Sequence, residues 1–146
     1  LACEASGRIA SFRVNMGGFP LSGCEPDRPI PLLTMTGDAD RNGVFSSAKE
    51  WAETYDCEAE PLVEELGAGV RRRIYQGCEA DVVVLDIEDV AHVFVHHECV
   101  GPAASSGLCQ ENDVVDEVED SLAFFEEHPL PARSASEQTT GRSRNA

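Results

Sequence analysis

Residues 30–40 read Ile-Pro-Leu-Leu-Thr-Met-Thr-Gly-Asp-Ala-Asp, and the first six of them are apolar enough to form a strand buried on both faces. Strands of that kind are typical of parallel sheets. Residues 81–87, Asp-Val-Val-Val-Leu-Asp-Ile, form a second such run. Between the two, residues 47–57 place apolar side chains on one face of a helix. Strand, helix and strand in this order predict an α/β fold with an open, mostly parallel sheet and flanking helices.

Shorter elements are predicted on either side of this unit. Residues 1–6 have the pattern of the last turn of a helix that ends at Gly7, and residues 8–14 that of a strand. Residues 62–66 and 70–75 are extended segments joined by Gly-Ala-Gly. Such a connection predicts a small β-hairpin excursion between the helix and the next core strand.

The two longer helices can be bounded from the sequence. Ser47 and Glu50 have the spacing of a capping box, so the first helix should begin there and end near Cys57. The last helix should span residues 112–127 and turn one apolar stripe toward the core. That stripe consists of Val115, Val118, Leu122 and Phe125. Eight acids and no base lie between residues 111 and 127, a pattern that predicts a solvated face.

Length and charge exclude several classes of protein. The chain has 146 residues, enough for one globular domain, and its 27 acidic against 11 basic side chains give a formal net charge of −16. Nucleic-acid binding is not expected, because phosphate contacts need clustered Lys and Arg and this chain has a single lysine, Lys49. Binding to anionic membrane surfaces is not expected for the same reason. No apolar run approaches the roughly 18 residues that span a bilayer, so a transmembrane protein is excluded as well.

Candidate catalytic side chains follow the two buried strands. Asp38 and Asp40 come directly after the first strand, and His92 follows the second. In open α/β sheets the functional site lies at the carboxyl ends of the strands. A carboxylate and an imidazole placed on neighbouring loops there could pair as the acid and base of a catalytic triad. Asp38 competes with Asp40 for this role, and either could instead cap a turn or a helix.

Several motifs in order resemble an α/β-hydrolase of the secreted esterase group that includes polyhydroxybutyrate depolymerases and feruloyl esterases. Cys24-Glu-Pro-Asp-Arg-Pro-Ile-Pro-Leu-Leu precedes the strand, and Gly37-Asp38-Ala39-Asp40 resembles the family's acid loop. The later matching features are Trp51 with Cys57, Tyr75-Gln-Gly-Cys78, the histidine loop ending in His92, and Phe124-Phe125-Glu-Glu-His128-Pro129. The resemblance covers residues 1–130, and residues 131–146 are expected to form a disordered tail.

The resemblance implies a function for the two candidate residues. Asp40 would be the acid and His92 the general base of a Ser-Asp-His triad, in the chain order of this fold. The family's nucleophile elbow, Gly-x-Ser-x-Gly, does not occur in the 146 residues. The chain is therefore expected to be the C-terminal portion of the hydrolase domain, with its N-terminal half absent, and inactive by itself. Its partners would be that upstream half and a polyester or aromatic ester substrate; no cofactor is implied.

The six cysteines are expected to be disulfide-bonded, since the group it resembles is secreted. Fifteen pairings are formally possible. Cys57 with Cys78 would close the hairpin excursion, and Cys99 with Cys109 would hold the loop after His92, which leaves Cys3 for Cys24. These bonds imply a secreted or periplasmic protein, although no signal peptide can be recognised.

Two other functions are compatible with the sequence. The first is a non-catalytic or degenerate binding module on a hydrolase scaffold, because the nucleophile motif is missing. The second is a zinc site, because His and Cys side chains close in sequence can fill a tetrahedral shell. The residues of that second hypothesis are His92, His96, His97, Cys99 and Cys109.

Overall fold

A computed structural model describes residues 2–16, 23–40 and 44–131. Leu1 and residues 132–146, which include almost all of the expected tail, lie outside the described residues. The strands are β1 (Phe12–Asn15), β2 (Leu32–Gly37), β3 (Leu62–Gly67), β4 (Val70–Tyr75), β5 (Val82–Ile87), β6 (Phe94–His96) and β7 (Cys109–Glu111). The helices are α1 (Val44–Thr54), α2 (Gly101–Ser105) and α3 (Glu117–Glu127), with a 3₁₀ turn at Ser6–Arg8.

The main sheet has five strands in the order β1-β2-β5-β4-β3. Strands β1, β2 and β5 are parallel, as predicted, whereas β4 pairs antiparallel with both β5 and β3. The hairpin is therefore an integral edge of a mixed sheet and not a separate excursion. Every residue of β4 pairs with β5, from Val70 with Ile87 to Tyr75 with Val82, and this continuous ladder joins the hairpin to the core.

Helix α1 covers one face of the sheet. Trp51 and Tyr55 are 1% exposed and pack with Leu32 and Val82 in one hydrophobic cluster. The Tyr55 hydroxyl accepts a hydrogen bond from the backbone N–H of Ile30 at 3.0 Å, which ties the end of the helix to the start of β2. The apolar face predicted for this helix is confirmed.

Helix α3 packs on the opposite face in a different rotation from the one predicted. Its buried residues are Glu117, Ser121 and Phe124. Val118, Leu122 and Phe125, predicted to face the core, are 51%, 57% and 40% exposed. Of the predicted stripe only Val115 is buried, and it precedes the helix.

The rotation of α3 is set by polar groups. Asp116 caps the helix, so α3 begins at Glu117, five residues later than predicted. The Glu117 carboxylate accepts a hydrogen bond from Asn15 and lies 3.5 Å from Arg13, both on β1. A glutamate predicted to be solvated is therefore buried against the sheet with its own charge partner.

Two other predicted boundaries are wrong. Helix α1 begins at Val44, so Ser47 lies inside the helix and is buried instead of capping it. In the described part of the N-terminal segment there is no α-helical turn before Gly7; that glycine belongs to the 3₁₀ turn. Ser6 is buried there and accepts a hydrogen bond from the backbone N–H of Asp27 at 2.8 Å.

The segment after His92 contains elements that the sequence did not predict. Strands β6 and β7 form a two-stranded parallel sheet, with Phe94 opposite Cys109 and His96 opposite Glu111. The short helix α2 connects them. This small sheet continues directly from the histidine loop into α3, which contacts β6.

All three expected disulfides are formed, namely Cys3–Cys24, Cys57–Cys78 and Cys99–Cys109. No cysteine of the chain is free. Three disulfides in one small domain are typical of extracellular proteins. None of the helices within residues 2–16, 23–40 and 44–131 is long and apolar enough to cross a membrane.

Candidate active site

Asp40 lies in a tight turn at the carboxyl end of β2. The backbone N–H of Asp40 donates to the carbonyl of Gly37 at 3.0 Å, and the N–H of Asp38 donates to Ile87 of β5 at 3.0 Å. The turn therefore continues the ladder between the two buried strands. It withdraws the Asp40 carboxylate from solvent, with 2% of the side chain exposed.

His92 lies on the loop that follows β5, and its Nδ1 is 2.9 Å from Oδ2 of Asp40. The two residues are 52 positions apart in sequence and meet because β2 and β5 are adjacent parallel strands. The structure thus brings together the pair expected from the sequence. In serine-hydrolase triads Nδ1 is the nitrogen that contacts the acid, and Nε2 takes the proton from the nucleophile.

Asp38, the competing carboxylate, has a different partner. Its Oδ1 accepts a hydrogen bond from the backbone N–H of Asp89 at 2.7 Å. Asp89 has a φ of 56°, an unfavourable conformation for a residue with a side chain. The Asp38 carboxylate therefore holds the start of the histidine loop in its sharp turn, whereas Asp40 contacts the histidine itself.

The acid and histidine loops approach too closely at Gly37 to admit a side chain. A Cβ atom built on Gly37 would lie 2.0 Å from the carbonyl oxygen of Val90. That carbonyl also accepts a hydrogen bond from the N–H of Ala39 at 3.1 Å, and Val90 is 1% exposed. The backbone of the histidine loop at Val90 therefore packs directly against the acid loop at Gly37 and Ala39.

We therefore expect Gly37→Ala to lower the free energy of unfolding by about 1–3 kcal/mol, because the clash with backbone can be relieved only by moving a loop. Urea denaturation measures the loss. Gly7→Ala is the matched control, since a Cβ at Gly7 meets nothing within 4 Å. Equal stability of the two variants would contradict the close approach.

The other three histidines serve structural contacts. His96 has Nδ1 at 3.1 Å from Asp116 and Nε2 at 3.8 Å from Glu117. His97 and His128 each have one ring nitrogen on a backbone carbonyl and the other near a carboxylate. His92 has the most exposed side chain of the four, at 60% against 27%, 44% and 15%. It is therefore the best placed to accept a proton from an incoming group.

The zinc hypothesis is wrong, because the side chains it named as ligands have other partners. Cys99 and Cys109 are bonded to each other, so neither can bind a metal as a thiolate. His92 and His96 face different carboxylates, Asp40 and Asp116. Among the described residues no three His, Cys, Asp or Glu side chains are grouped so that they could hold a metal ion.

Asp116 is the most strongly perturbed carboxyl group near the small sheet. Its partial burial opposes ionisation, but backbone N–H donors from Glu119, His97 and Val118 and the side chain of His96 outweigh it and lower its pKa to about 2. Its side chain is 13% exposed. These contacts join the segment after His92 to the first turn of α3.

The low pKa makes Asp116 a source of pH-dependent stability. Its folded pKa lies below the usual 3.8, so the stabilisation is complete above that value and disappears as the pH falls toward 2. We expect the stability difference between wild type and Asp116→Asn to shrink by about 2 kcal/mol between pH 5 and pH 2. Urea unfolding at both pH values measures it. If this stability difference does not change with pH, the charge of the Asp116 carboxylate does not contribute to the stability of the helix cap.

No protein-family model matches this chain, and a search of curated proteins finds no relative. The family resemblance therefore rests on the sequence motifs alone, and the Asp40–His92 contact is the structural feature that bears on function.

Proposed function

We propose that this chain supplies the acid and the base of a Ser-Asp-His triad in a secreted carboxylic ester hydrolase, of the group that includes polyhydroxybutyrate depolymerases and feruloyl esterases. The observation that carries the proposal is the hydrogen bond between Asp40 and His92 at the carboxyl ends of two adjacent buried strands. Its substrate would be a polyester or an aromatic ester. The nucleophile would come from a segment outside the 146 residues.

The proposed chemistry assigns one task to each residue. A serine hydroxyl is a poor nucleophile until an imidazole takes its proton, and Nε2 of His92 would do so as the serine attacks the ester carbonyl. The imidazolium formed in that step is stabilised by the buried carboxylate of Asp40, which also fixes the tautomer. His92 would then give the proton to the leaving alkoxide. Two backbone N–H groups near the serine would stabilise the oxyanion.

Surfaces near β1 are consistent with a further part of the domain. Within the described sheet β1 pairs only with β2, so its other edge offers unpaired backbone groups. Val118, Leu122 and Phe125 of α3, which contacts β1, are exposed apolar side chains. The proposed upstream half would extend the sheet from β1 and cover these side chains.

The 146-residue chain by itself is expected to show no turnover of p-nitrophenyl acetate or butyrate above background, because it contains neither the nucleophile nor the oxyanion donors. The His92→Ala variant of the chain is the control for background hydrolysis. Turnover by the chain that His92→Ala abolishes would reveal a nucleophile among residues 1–146 and contradict the proposed division of the triad.

A serine-reactive fluorophosphonate probe tests the proposal in the longer protein that includes the upstream segment. We expect one labelled serine, located by mass spectrometry outside residues 1–146, and loss of labelling in His92→Ala.

The second candidate function is a non-catalytic binding module, which the missing Gly-x-Ser-x-Gly motif favours. The absence of labelling in a correctly folded longer protein would support that module and contradict the esterase.

A further inference from the structure

A cavity separate from the Asp40–His92 site lies between α3 and the main sheet. Its volume is about 310 Å³, within the range of small-molecule sites. Leu33, Val83 and Leu85 of β2 and β5 line it from the sheet, and Ala123 and Phe124 line it from α3. Apolar and charged side chains thus share the lining, and none of the lining residues belongs to the proposed triad.

The polar groups that line the cavity leave an excess of negative charge. Arg72 is paired with Glu64 at 2.6 Å, and Nε2 of His128 is paired with Asp81 at 2.7 Å. Asp120 and Glu127 of α3 also line the cavity, and in the described part of the chain neither has a basic side chain within ion-pair distance; Arg13 and His97 act on Asp120 only from farther away. A positively charged group would complement this lining, whereas an anion would be repelled.

Asp120 is the better placed of the two acids to hold a cation. One of its oxygens accepts a hydrogen bond from the backbone N–H of Asp116 at 2.9 Å, which fixes the side chain at the cavity wall. Partial burial raises the pKa of its carboxyl group, although that hydrogen bond acts in the opposite direction. A carboxylate that is partly withdrawn from water gains more from a nearby cation than a fully solvated one.

We propose that this cavity binds a small amphipathic cation, an alkylammonium or arylammonium compound, with its apolar part against the accessible side chains of Ile74, Val83 and Ala123 and its ammonium group at Asp120. The accessible apolar side chains supply part of the binding energy through the area that the ligand covers. The Asp120 carboxylate makes the site prefer a cation over a neutral or anionic compound. The site is independent of the proposed triad, so it can be tested whether or not the chain belongs to an esterase.

Isothermal titration calorimetry of the 146-residue chain with 2-phenylethylammonium tests the proposal. We expect saturable binding of one molecule per chain. The neutral analogue 2-phenylethanol should bind at least about tenfold more weakly, since it cannot form the charged contact. The anion 3-phenylpropanoate should not bind. Absence of saturable binding by the ammonium compound, or equal affinity for the neutral analogue, would overturn the proposal.

Two substitutions locate the site. Asp120→Asn removes the charge but keeps an oxygen acceptor for Asp116, and it should weaken binding of the ammonium compound at least about tenfold. Glu126→Gln is the matched control, because Glu126 is an exposed acid of the same helix that does not line the cavity. An equal loss in both variants would mean diffuse attraction to the negative chain and would contradict a specific site.

Filling the cavity gives a readout that leaves the hydrogen bond from Asp116 to Asp120 intact. Ala123 is exposed to solvent and lines the cavity, so Ala123→Phe should fold and occupy part of its volume. We expect this variant to lose binding of 2-phenylethylammonium while circular dichroism and the unfolding midpoint stay close to wild type. Unchanged affinity in a folded Ala123→Phe variant would place the ligand elsewhere.

Discussion

Asp40→Asn is expected to lower kcat for ester hydrolysis by about 10⁴-fold in the longer protein that carries the proposed nucleophile. The amide keeps the shape of the side chain but removes the charge that stabilises the imidazolium, and it can hold His92 in the wrong tautomer. KM should change little, because a carboxylate behind the imidazole does not contact the substrate in the ground state. Steady-state kinetics with p-nitrophenyl butyrate measures both constants.

Asp38→Asn is the matched control for this prediction. It removes the same charge two residues away, while an amide oxygen can still accept the hydrogen bond from Asp89. We expect its kcat to stay within about tenfold of wild type, as a residue that acts only through loop position should. A larger loss in Asp38→Asn than in Asp40→Asn would show that the two aspartates have been assigned in reverse.

The strands, and the meeting of the two loops that follow them, could be predicted because both depend on sequence features that are local. Runs of buried apolar residues mark β2 and β5, and parallel neighbours end at the same edge of the sheet. Any polar residue directly after such strands must lie near that edge. The choice of Asp40 over Asp38 came from the family resemblance and not from the local pattern, because it depends on the turn at Gly37 and on the close contact with Val90.

The rotation of α3 could not be predicted from hydrophobic periodicity. Its most regular apolar stripe, Val118, Leu122 and Phe125, faces outward. The buried side is chosen by the Asp116 cap and by the contacts of Glu117 with Arg13 and Asn15. Those partners lie more than a hundred residues away in sequence, so no pattern within the helix reveals them.

The pairing of the hairpin with the sheet could not be predicted from local sequence either. Its turn and both strands follow from the Gly-Ala-Gly connection, but the sequence does not say which strand it will pair with. In the structure a charged contact accompanies the pairing of β4 with β5. Arg71 and Arg73 of β4 both reach Oδ2 of Asp86 on β5, at 3.2 and 3.1 Å.

Asp86 is therefore a buried carboxylate that links β5 to β4 through its contacts with two arginines. Its side chain is 2% exposed, and the two arginine side chains are 29% and 27% exposed. A carboxylate removed from water is costly unless it is paired, and here two guanidinium groups compensate for that cost. The two arginines point to the same face of β4, so without the carboxylate they would repel each other.

Asp86→Ala is expected to lower the free energy of unfolding by about 2–4 kcal/mol; a fully buried ion pair would cost about 3–5 kcal/mol, but here both arginines are partly exposed and Arg71 also lies 3.6 Å from Glu88. This is a large part of the 5–15 kcal/mol that typically stabilises a domain. Glu64→Ala is the matched control, because it removes a carboxylate from the solvent-exposed pair with Arg72 on the same hairpin and should cost no more than about 1 kcal/mol. Urea denaturation of both variants measures the difference. Equal losses would mean that the Asp86 contacts stabilise the fold no more than a surface ion pair does. The backbone hydrogen bonds and apolar contacts between β4 and β5 would then be enough to join the hairpin to the sheet.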